Sequence, residues 1–213
     1  MPESADEMYA RVVATLGVDG RAPTPPVATW STFPWDGELS PRVLQPPQDE
    51  PVRDGLTADA CWRCLHPDAG VLWRDGTWQV SAPEAPSGLP LVLFLSTQAH
   101  LDVADLDDDL AAGLGVATMR LARVMASLPH IGRVHWSQWG DGSAHLHVWF
   151  FARTARVRQT LGTFAAEWDE ILPPVPADVW RADLRAVAAG LAQHGGRVIV
   201  PGAPVEAEAD PGS

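Results

Sequence analysis

Lysine is absent from the chain, and all 15 basic residues are arginine. The chain therefore has neither a P-loop lysine nor a Schiff-base lysine, which excludes both kinds of chemistry. Long apolar runs are also missing: the longest aliphatic stretch, LPLVLFL at 89–95, is far shorter than the ~20 residues that cross a bilayer. The start, MPESADEM, is acidic and polar, unlike a secretory signal. We expect a cytoplasmic protein with no membrane partner.

Positive charge is scarce as a whole, because 27 acidic residues outnumber the basic ones and give a formal net charge of -12. A field of that sign repels a phosphate backbone, so a long nucleic acid is not expected as a partner. A small nucleotide or phosphate ester is still allowed, since a pocket can differ in charge from the whole molecule.

Cysteine is nearly absent too, and both copies, Cys61 and Cys64, lie in the sequence CWRC. Two cysteines are too few for a disulfide scaffold, which leaves metal binding, redox chemistry or two plain thiols. The spacing lets two thiolates bind one tetrahedral ion, and zinc would then need two further ligands from His, Asp or Glu. A redox CxxC normally opens a helix after a strand, whereas Pro67, Asp68 and Gly70 favour a turn here.

The 213 residues suffice for one domain with a sizeable core and irregular extensions. Proline-rich segments and periodicity divide the chain into an N-terminal arm (1–58), a domain (59–201) and a flexible tail (202–213). The arm includes a possible short helix at 4–16. Strands are predicted at 71–74, 77–80, 89–96, 133–139 and 145–153, and helices at 106–128, 156–172 and 176–194. This order predicts an α+β fold, an antiparallel β-sheet with flanking helices.

The most informative stretch is SAHLHVWFFAR, residues 143–153. On a strand, alternate residues share a face, so His145, His147 and Trp149 would lie on the side opposite the apolar set. Neutral imidazole can act as a nucleophile or as a metal ligand. The alternative is a pair of structural histidines on a half-exposed strand.

From Cys61 to about Arg153 the order of these features resembles the histidine-triad (HIT) superfamily, which includes nucleotide hydrolases and galactose-phosphate uridylyltransferase. That family often has a CxxC, a strand hairpin, a strand followed by a histidine, a long helix, and two strands, the second carrying H-x-H-x-H. The corresponding segments here are CWRC, VLWRDGTWQV, FLSTQAHLDVADL, the helix at 106–128 and HLHVW.

The resemblance implies a structural zinc ion (Zn2+) held by Cys61, Cys64, His100 and His145. His66 is a rival ligand because it lies near Cys64 in the sequence. The resemblance also implies that His147 is a catalytic nucleophile that forms a covalent nucleotidyl-histidine. The expected function is a HIT-like nucleotide hydrolase or nucleotidyl transferase, and a homodimer is typical of the family. The alternative is a catalytically degenerate domain that binds a nucleotide or a protein partner.

Four further positions belong to this interpretation. The loop WSQWGDGSA matches the family poorly, but Gln138 and Ser143 could contact an anion, and Arg153 fits the arginine often found shortly after the triad; these three are expected to bind substrate. Trp149 occupies the third triad position, where an indole N–H could contact a phosphoryl oxygen but cannot shuttle a proton; the rival interpretation is a packing residue that blocks the pocket. A second register also stays open, in which Ser143 replaces the first histidine and His145 becomes the central one.

Overall fold

The structure is a computed structural model that describes residues 3–16 and 19–199 of the chain. Within these residues there are five α-helices: α1 (Ala5–Thr15), α2 (Trp62–Leu65), α3 (Asp108–Ala126), α4 (Ala165–Ile171) and α5 (Ala177–Ala192). Single 3-10 turns lie at Pro26–Thr29, Val103–Asp105, Arg158–Thr160 and Gly162–Phe164. None of the helices in the described ranges combines the length and the apolar character needed to span a membrane.

The strands of the described residues form one sheet with the order β4-β5-β3-β2-β1-β6. Their bounds are Val71–Arg74 (β1), Trp78–Ser81 (β2), Leu91–Thr97 (β3), Ile131–Ser137 (β4), His147–Thr154 (β5) and Arg197–Val198 (β6). Every neighbouring pair is antiparallel. The predicted α+β fold with an antiparallel sheet and flanking helices is therefore confirmed.

The alternation predicted along β5 determines how the sheet is covered. Leu146, Val148, Phe150 and Ala152 are buried in the main core, which α3 and α5 complete. On the opposite face, Phe151 belongs to a smaller cluster with Leu89, Val92 and Ala165, the first residue of α4. Helices thus cover both faces, and the end of the second face near the start of β5 is left to polar residues.

Helix α3 matches its prediction closely. Asp107 caps it by accepting the N–H of Leu110 at 2.8 Å, and Asp108 and Asp109 lie in the first turn, where negative charge complements the helix dipole. The hairpin between β1 and β2 is also present. Asp75 stabilises its turn by accepting the backbone N–H groups of Thr77 and Trp78, each at 2.7 Å.

Two predictions for the C-terminal half need correction. The helix expected at 156–172 is instead two 3-10 turns followed by the short α4, because Gly162 adopts a left-handed φ of 68° that interrupts helical geometry. Strand β6 was not predicted, since two residues are too few to show a periodic pattern; it pairs with β1, and Ile199 donates to the carbonyl of Leu72 at 2.7 Å.

The N-terminal segment lies against the domain at two places. Trp168 of α4 donates its indole N–H to the carbonyl of Thr32 at 3.0 Å, and Phe33 packs edge-on against Phe164. Farther along, Asp54 pairs with Ser143 in an isolated parallel bridge. The division into arm and domain stays a prediction, and the tail at 202–213 lies outside the described residues.

Candidate metal centre and active site

Four side chains from three distant segments converge next to the start of β5. Cys61 immediately precedes α2 and Cys64 lies within it, His100 follows β3, and His145 precedes β5. One ligand atom from each residue lies within 4.8 Å of all the others. The structure therefore brings together the four residues that the resemblance implied as zinc ligands. The rival His66 is exposed and its Nδ1 lies 2.9 Å from the carbonyl of Trp62.

The distances within this cluster suit a tetrahedral ion. His145 Nδ1 lies 3.4 Å from the Sγ of Cys61 and 3.6 Å from the Sγ of Cys64. His100 Nδ1 lies 3.5 Å from the Sγ of Cys64. Zn–S bonds of about 2.3 Å and Zn–N bonds of about 2.0–2.1 Å place sulfur and nitrogen about 3.5 Å apart in a tetrahedron. The donor set and its spacing therefore fit zinc.

The hydrogen bonds of His145 prepare it as a ligand. Its Nε2–H donates to the carbonyl of Thr97 at 2.9 Å, which leaves the lone pair of Nδ1 directed at the two sulfurs. Burial lowers the pKa of His145, which favours the neutral ring that a metal ligand needs. Burial also raises the pKa of Cys64 to about 11, with Cys61 adding to the effect. A bound cation would reverse this preference, because a coordinating thiol loses its proton to the metal.

Gly55 allows the N-terminal segment to pass close to the four candidate metal ligands. Its φ is 67°, and a Cβ there would lie 2.9 Å from the Cα of Cys61, too close for any other residue. The backbone at 53–55 consequently forms one wall of the site.

His147 differs from His145 in both partners and exposure. Its Nδ1–H donates to the carbonyl of His145 at 2.8 Å, and no hydrogen-bond partner for Nε2 occurs among the described residues. The ring is half-buried and lines a cavity of about 310 Å³, within the size range of small-molecule sites. The other lining residues are mostly polar: Asp54, Gly55, Trp62, Arg63, Ser81, Phe94, Ser96, Ser143 and His145.

This geometry bears on the triad register. Both nitrogens of His145 are engaged, one by Thr97 and one by the sulfurs, and the residue is 3% exposed. The second register, which needs a reactive His145, does not fit this arrangement. The first register, with His147 at the cavity, does.

Trp149 is a packing residue in this structure. Its ring lies against Phe94, with centroids 4.6 Å apart, and against Trp139 and Phe151, each at 5.8 Å. It is not among the residues that line the cavity. Of the two interpretations left open by the sequence, the geometry favours packing over contact with substrate.

The three expected substrate-binding residues are placed differently from one another. Ser143 lines the cavity, and its Oγ accepts the N–H of His145 at 3.3 Å. Gln138 is exposed beside Gly140 and does not line the cavity. Arg153 lies six residues after His147 along β5, which places it roughly 20 Å from His147 at 3.3 Å per residue. There its Nη1 donates to the carbonyls of Thr154 and Val157. The structure does not bring Arg153 to His147, contrary to the expectation.

Several residues at the site were missed by sequence reasoning. Ser96 is paired with His147 in the β3–β5 register, is 3% exposed, and its Oγ has no hydrogen-bond partner among the described residues. Arg63 brings a positive charge to the cavity wall. Thr97 orients His145. Ser96 could have been found by pairing the two predicted strands, whereas no local signal marks Arg63 or Thr97.

No family model matches the sequence, and neither does any curated protein. Solved structures that resemble the chain include a zinc-bound histidine-triad family protein from Mycobacterium smegmatis, with 17% identity, a TM-score of 0.48, and coverage of 65% of this chain and 99% of that one. A hypothetical histidine triad nucleotide-binding protein from Sulfolobus tokodaii has 10% identity, a TM-score of 0.46, and coverage of 62% and 90%. A histidine triad protein from Bradyrhizobium japonicum has 15% identity, a TM-score of 0.47, and coverage of 59% and 92%. Each of these is a protein that the chain resembles, and the chemistry of the site is inferred from its own geometry.

Proposed function

We propose that the protein hydrolyses nucleotides or transfers a nucleotidyl group through a covalent intermediate on His147. The observation that carries this proposal is the hydrogen bond from His147 Nδ1–H to the carbonyl of His145. It holds the proton on Nδ1, so the lone pair of Nε2 is available at a cavity large enough for a small ligand.

The reaction would proceed in two displacements. Nε2 of His147 attacks the α-phosphorus, an N–P bond forms, and the bond from phosphorus to the leaving group breaks. Water or another acceptor then attacks the same phosphorus, releases the nucleotide product and restores the imidazole. Arg63, Ser96 and Ser143 supply charge and hydrogen-bond donors around this position.

The lack of a histidine at the third triad position, where Trp149 stands, restricts the leaving group. An indole N–H cannot transfer a proton to a departing atom, and losing a general acid typically costs about 10²–10⁴ in rate. Substrates whose leaving group departs without protonation, such as a phosphate, are therefore favoured over those that release an amine. The substrate class we propose is a nucleotide joined through a phosphoanhydride or an acidic phosphoester.

The zinc ion proposed for Cys61, Cys64, His100 and His145 would be structural. When bound, it would supply a tetrahedral crosslink between the segment before β1, the end of β3 and the start of β5. Zinc binding would hold His145 in place, and His145 would in turn orient His147, because its carbonyl accepts the hydrogen bond from His147 Nδ1–H. A homodimer and a cytoplasmic location stay predictions from the sequence.

The test is a trapped adduct. The zinc-loaded protein is mixed with a panel of adenylated and uridylated substrates, quenched and digested, and the peptide that contains His147 is weighed by mass spectrometry. We expect the added mass of a nucleoside monophosphate in the wild type and in a His66→Ala control, and none in His147→Ala. An adduct that persists in His147→Ala would contradict the proposal.

A second candidate is favoured by the packing of Trp149 among Phe94, Trp139 and Phe151. A domain that binds a ligand without turning it over would have no need of a catalytic group at the third triad position, and a packing residue could stand there. A panel that gives saturable nucleotide binding, no adduct and no product would select this candidate over the enzyme.

A further inference from the structure

A second cluster of chemically active side chains lies on the same sheet face as His147, but at the far end of β5. Arg153 on β5 and Arg133 on β4 are direct cross-strand partners. His135, two residues after Arg133, points to the same face. Like charges directly opposite each other on neighbouring strands destabilise a sheet, so this arrangement needs a compensating group.

The described residues do not provide that group. Among them, no salt bridge joins Arg133 or Arg153 to a carboxylate. The surrounding sequence is also unusual, since residues 110–166 contain six arginines and a single acidic residue, Asp141. Six positive charges minus one negative charge give +5 in a chain whose formal net charge is -12. This segment of the sequence is therefore more positive than the chain as a whole, and four of its arginines lie outside α3, which covers the opposite face of the sheet.

Arg153 leaves one edge of its guanidinium group unused. The residue is 8% exposed, and Nη1 is occupied by the carbonyls of Thr154 and Val157. Nε is buried without a partner, and no hydrogen bond to Nη2 occurs among the described residues. The edge formed by Nε and Nη2 is one that can bind two oxygens of a carboxylate or phosphate at once.

The neighbours of this edge are suited to the same ligand. Gly132 packs against it: a Cβ at that position would lie 2.8 Å from the Cα of Ala155 and 3.1 Å from Nη2 of Arg153, so no larger residue fits there. The Nε2 of His135 is buried and likewise unpartnered. Burial lowers the pKa of His135, and the charges of Arg153 and Arg133 lower it further.

We propose that Arg133, His135 and Arg153 form a binding site for an oxyanion, the phosphate or carboxylate group of a small ligand. The site is separate from the cavity at His147, being roughly 20 Å along the strand from it. It does not depend on the function proposed for His147. A bound oxyanion would separate the charges of the two arginines and accept hydrogen bonds from the free edge of Arg153 and from His135.

The probe is inorganic phosphate, titrated calorimetrically into the zinc-loaded full-length protein against sodium chloride of equal ionic strength. Arg133→Gln tests the site without disturbing the core, because Arg133 is exposed, and His135→Gln tests the ring. Arg181→Gln is the matched control, since Arg181 is exposed on α5, which covers the opposite face. We expect phosphate binding to weaken about tenfold or more in the two site variants and to be unchanged in the control.

Thermal unfolding gives a second readout. Arg133→Gln should raise Tm without phosphate, because it removes the like-charge pair, and should abolish the rise that phosphate produces in the wild type. A parallel titration with citrate distinguishes a carboxylate ligand from a phosphate one. Phosphate and citrate binding that is absent from the wild type, unchanged in both site variants, or lost in His147→Ala would overturn the proposal.

Discussion

Arg53 Nη2 donates to the carbonyl oxygen of Ser143 over 2.6 Å, although 90 positions separate the two residues. The same guanidinium group pairs with the carboxylate of Asp102, and this hydrogen bond lowers the pKa of Asp102. Two backbone hydrogen bonds reinforce the contact, from Asp54 N–H to Gly142 and from Ala144 N–H to Asp54. The N-terminal segment thereby fixes the loop that leads into His145 and His147.

Arg53→Gln should loosen this loop. We expect the amide hydrogens of Asp54 and Ala144 to exchange roughly tenfold faster, because local opening loses a charged hydrogen bond that the closed state makes. Hydrogen exchange followed by mass spectrometry checks this. Arg42→Gln is the control, since Arg42 is an exposed arginine of the same segment; equal acceleration in both variants would contradict the role of Arg53.

Cys64→Ser should remove zinc and lower stability together. Serine is a poor substitute for a thiolate ligand, and metal binding contributes directly to folding free energy. The metal content measured by mass spectrometry should fall from about one zinc per chain to near zero, and the free energy of unfolding should drop by about 3 kcal/mol or more. His66→Ala should change neither quantity. A Cys64→Ser variant that keeps its zinc would refute the ligand assignment.

His147→Ala should separate activity from stability. Turnover of any accepted nucleotide should fall to about a thousandth or less, because the nucleophile is gone. The free energy of unfolding should change by no more than about 1 kcal/mol, since the ring is half-buried and makes one hydrogen bond to the backbone. Steady-state kinetics and urea unfolding on the same preparations test both parts. Turnover comparable to the wild type would exclude His147 as the nucleophile.

Trp149→Ala should be mainly a stability variant. Removing a half-buried indole from contact with Phe94 and Phe151 should cost about 2 kcal/mol or more of unfolding free energy. Zinc content should stay unchanged, and Trp149→Phe should recover most of the loss because it keeps the ring stacking. A Trp149→Ala variant with wild-type stability but lost nucleotide affinity would instead assign this residue to the substrate.

The stability of the protein should depend on pH through His135. Because burial lowers the pKa of His135 in the folded state, the unfolded chain binds a proton at higher pH than the folded one does. The contribution of neutral His135 to stability is therefore complete well above the unfolded pKa of about 6.5 and decreases as the pH falls through that value. Denaturant unfolding in low-phosphate buffer between about pH 8 and 5.5 should show a smaller decrease in His135→Gln than in the wild type. An identical pH dependence in the two proteins would contradict this.

Much of the fold could be predicted because its elements have strong local patterns. Helix α3 shows its cap and apolar spacing in the sequence, and β5 shows its alternation. The prediction for 156–172 was wrong because the residues favour a helix but Gly162, with its left-handed φ, interrupts it. The sequence does not show which glycine adopts a left-handed conformation. Strand β6 is determined by pairing with β1, which is a tertiary contact.

The site was predictable where a motif with fixed spacing exists, as in CWRC and HLH. The sequence could not show which ring nitrogen of His145 faces the sulfurs and which faces Thr97. His145 precedes β5, so strand alternation does not set its orientation. Arg53 and Arg63 reach the site through the path of the N-terminal segment and the turn of α2, which periodicity does not encode. Arg153 follows the triad at the sequence distance expected for a substrate-binding arginine. The extended conformation of β5 nevertheless places it far from His147.

The four proposed metal ligands also constrain the order of assembly. Cys61 and His145 are 84 positions apart, and His100 reaches them only when β3 and β5 are paired, so a tetrahedral pocket cannot exist in a nascent chain that has not yet closed this loop. Coordination by all four ligands would accordingly require the central strands to be in register, whereas the two neighbouring cysteines alone could hold an ion before then.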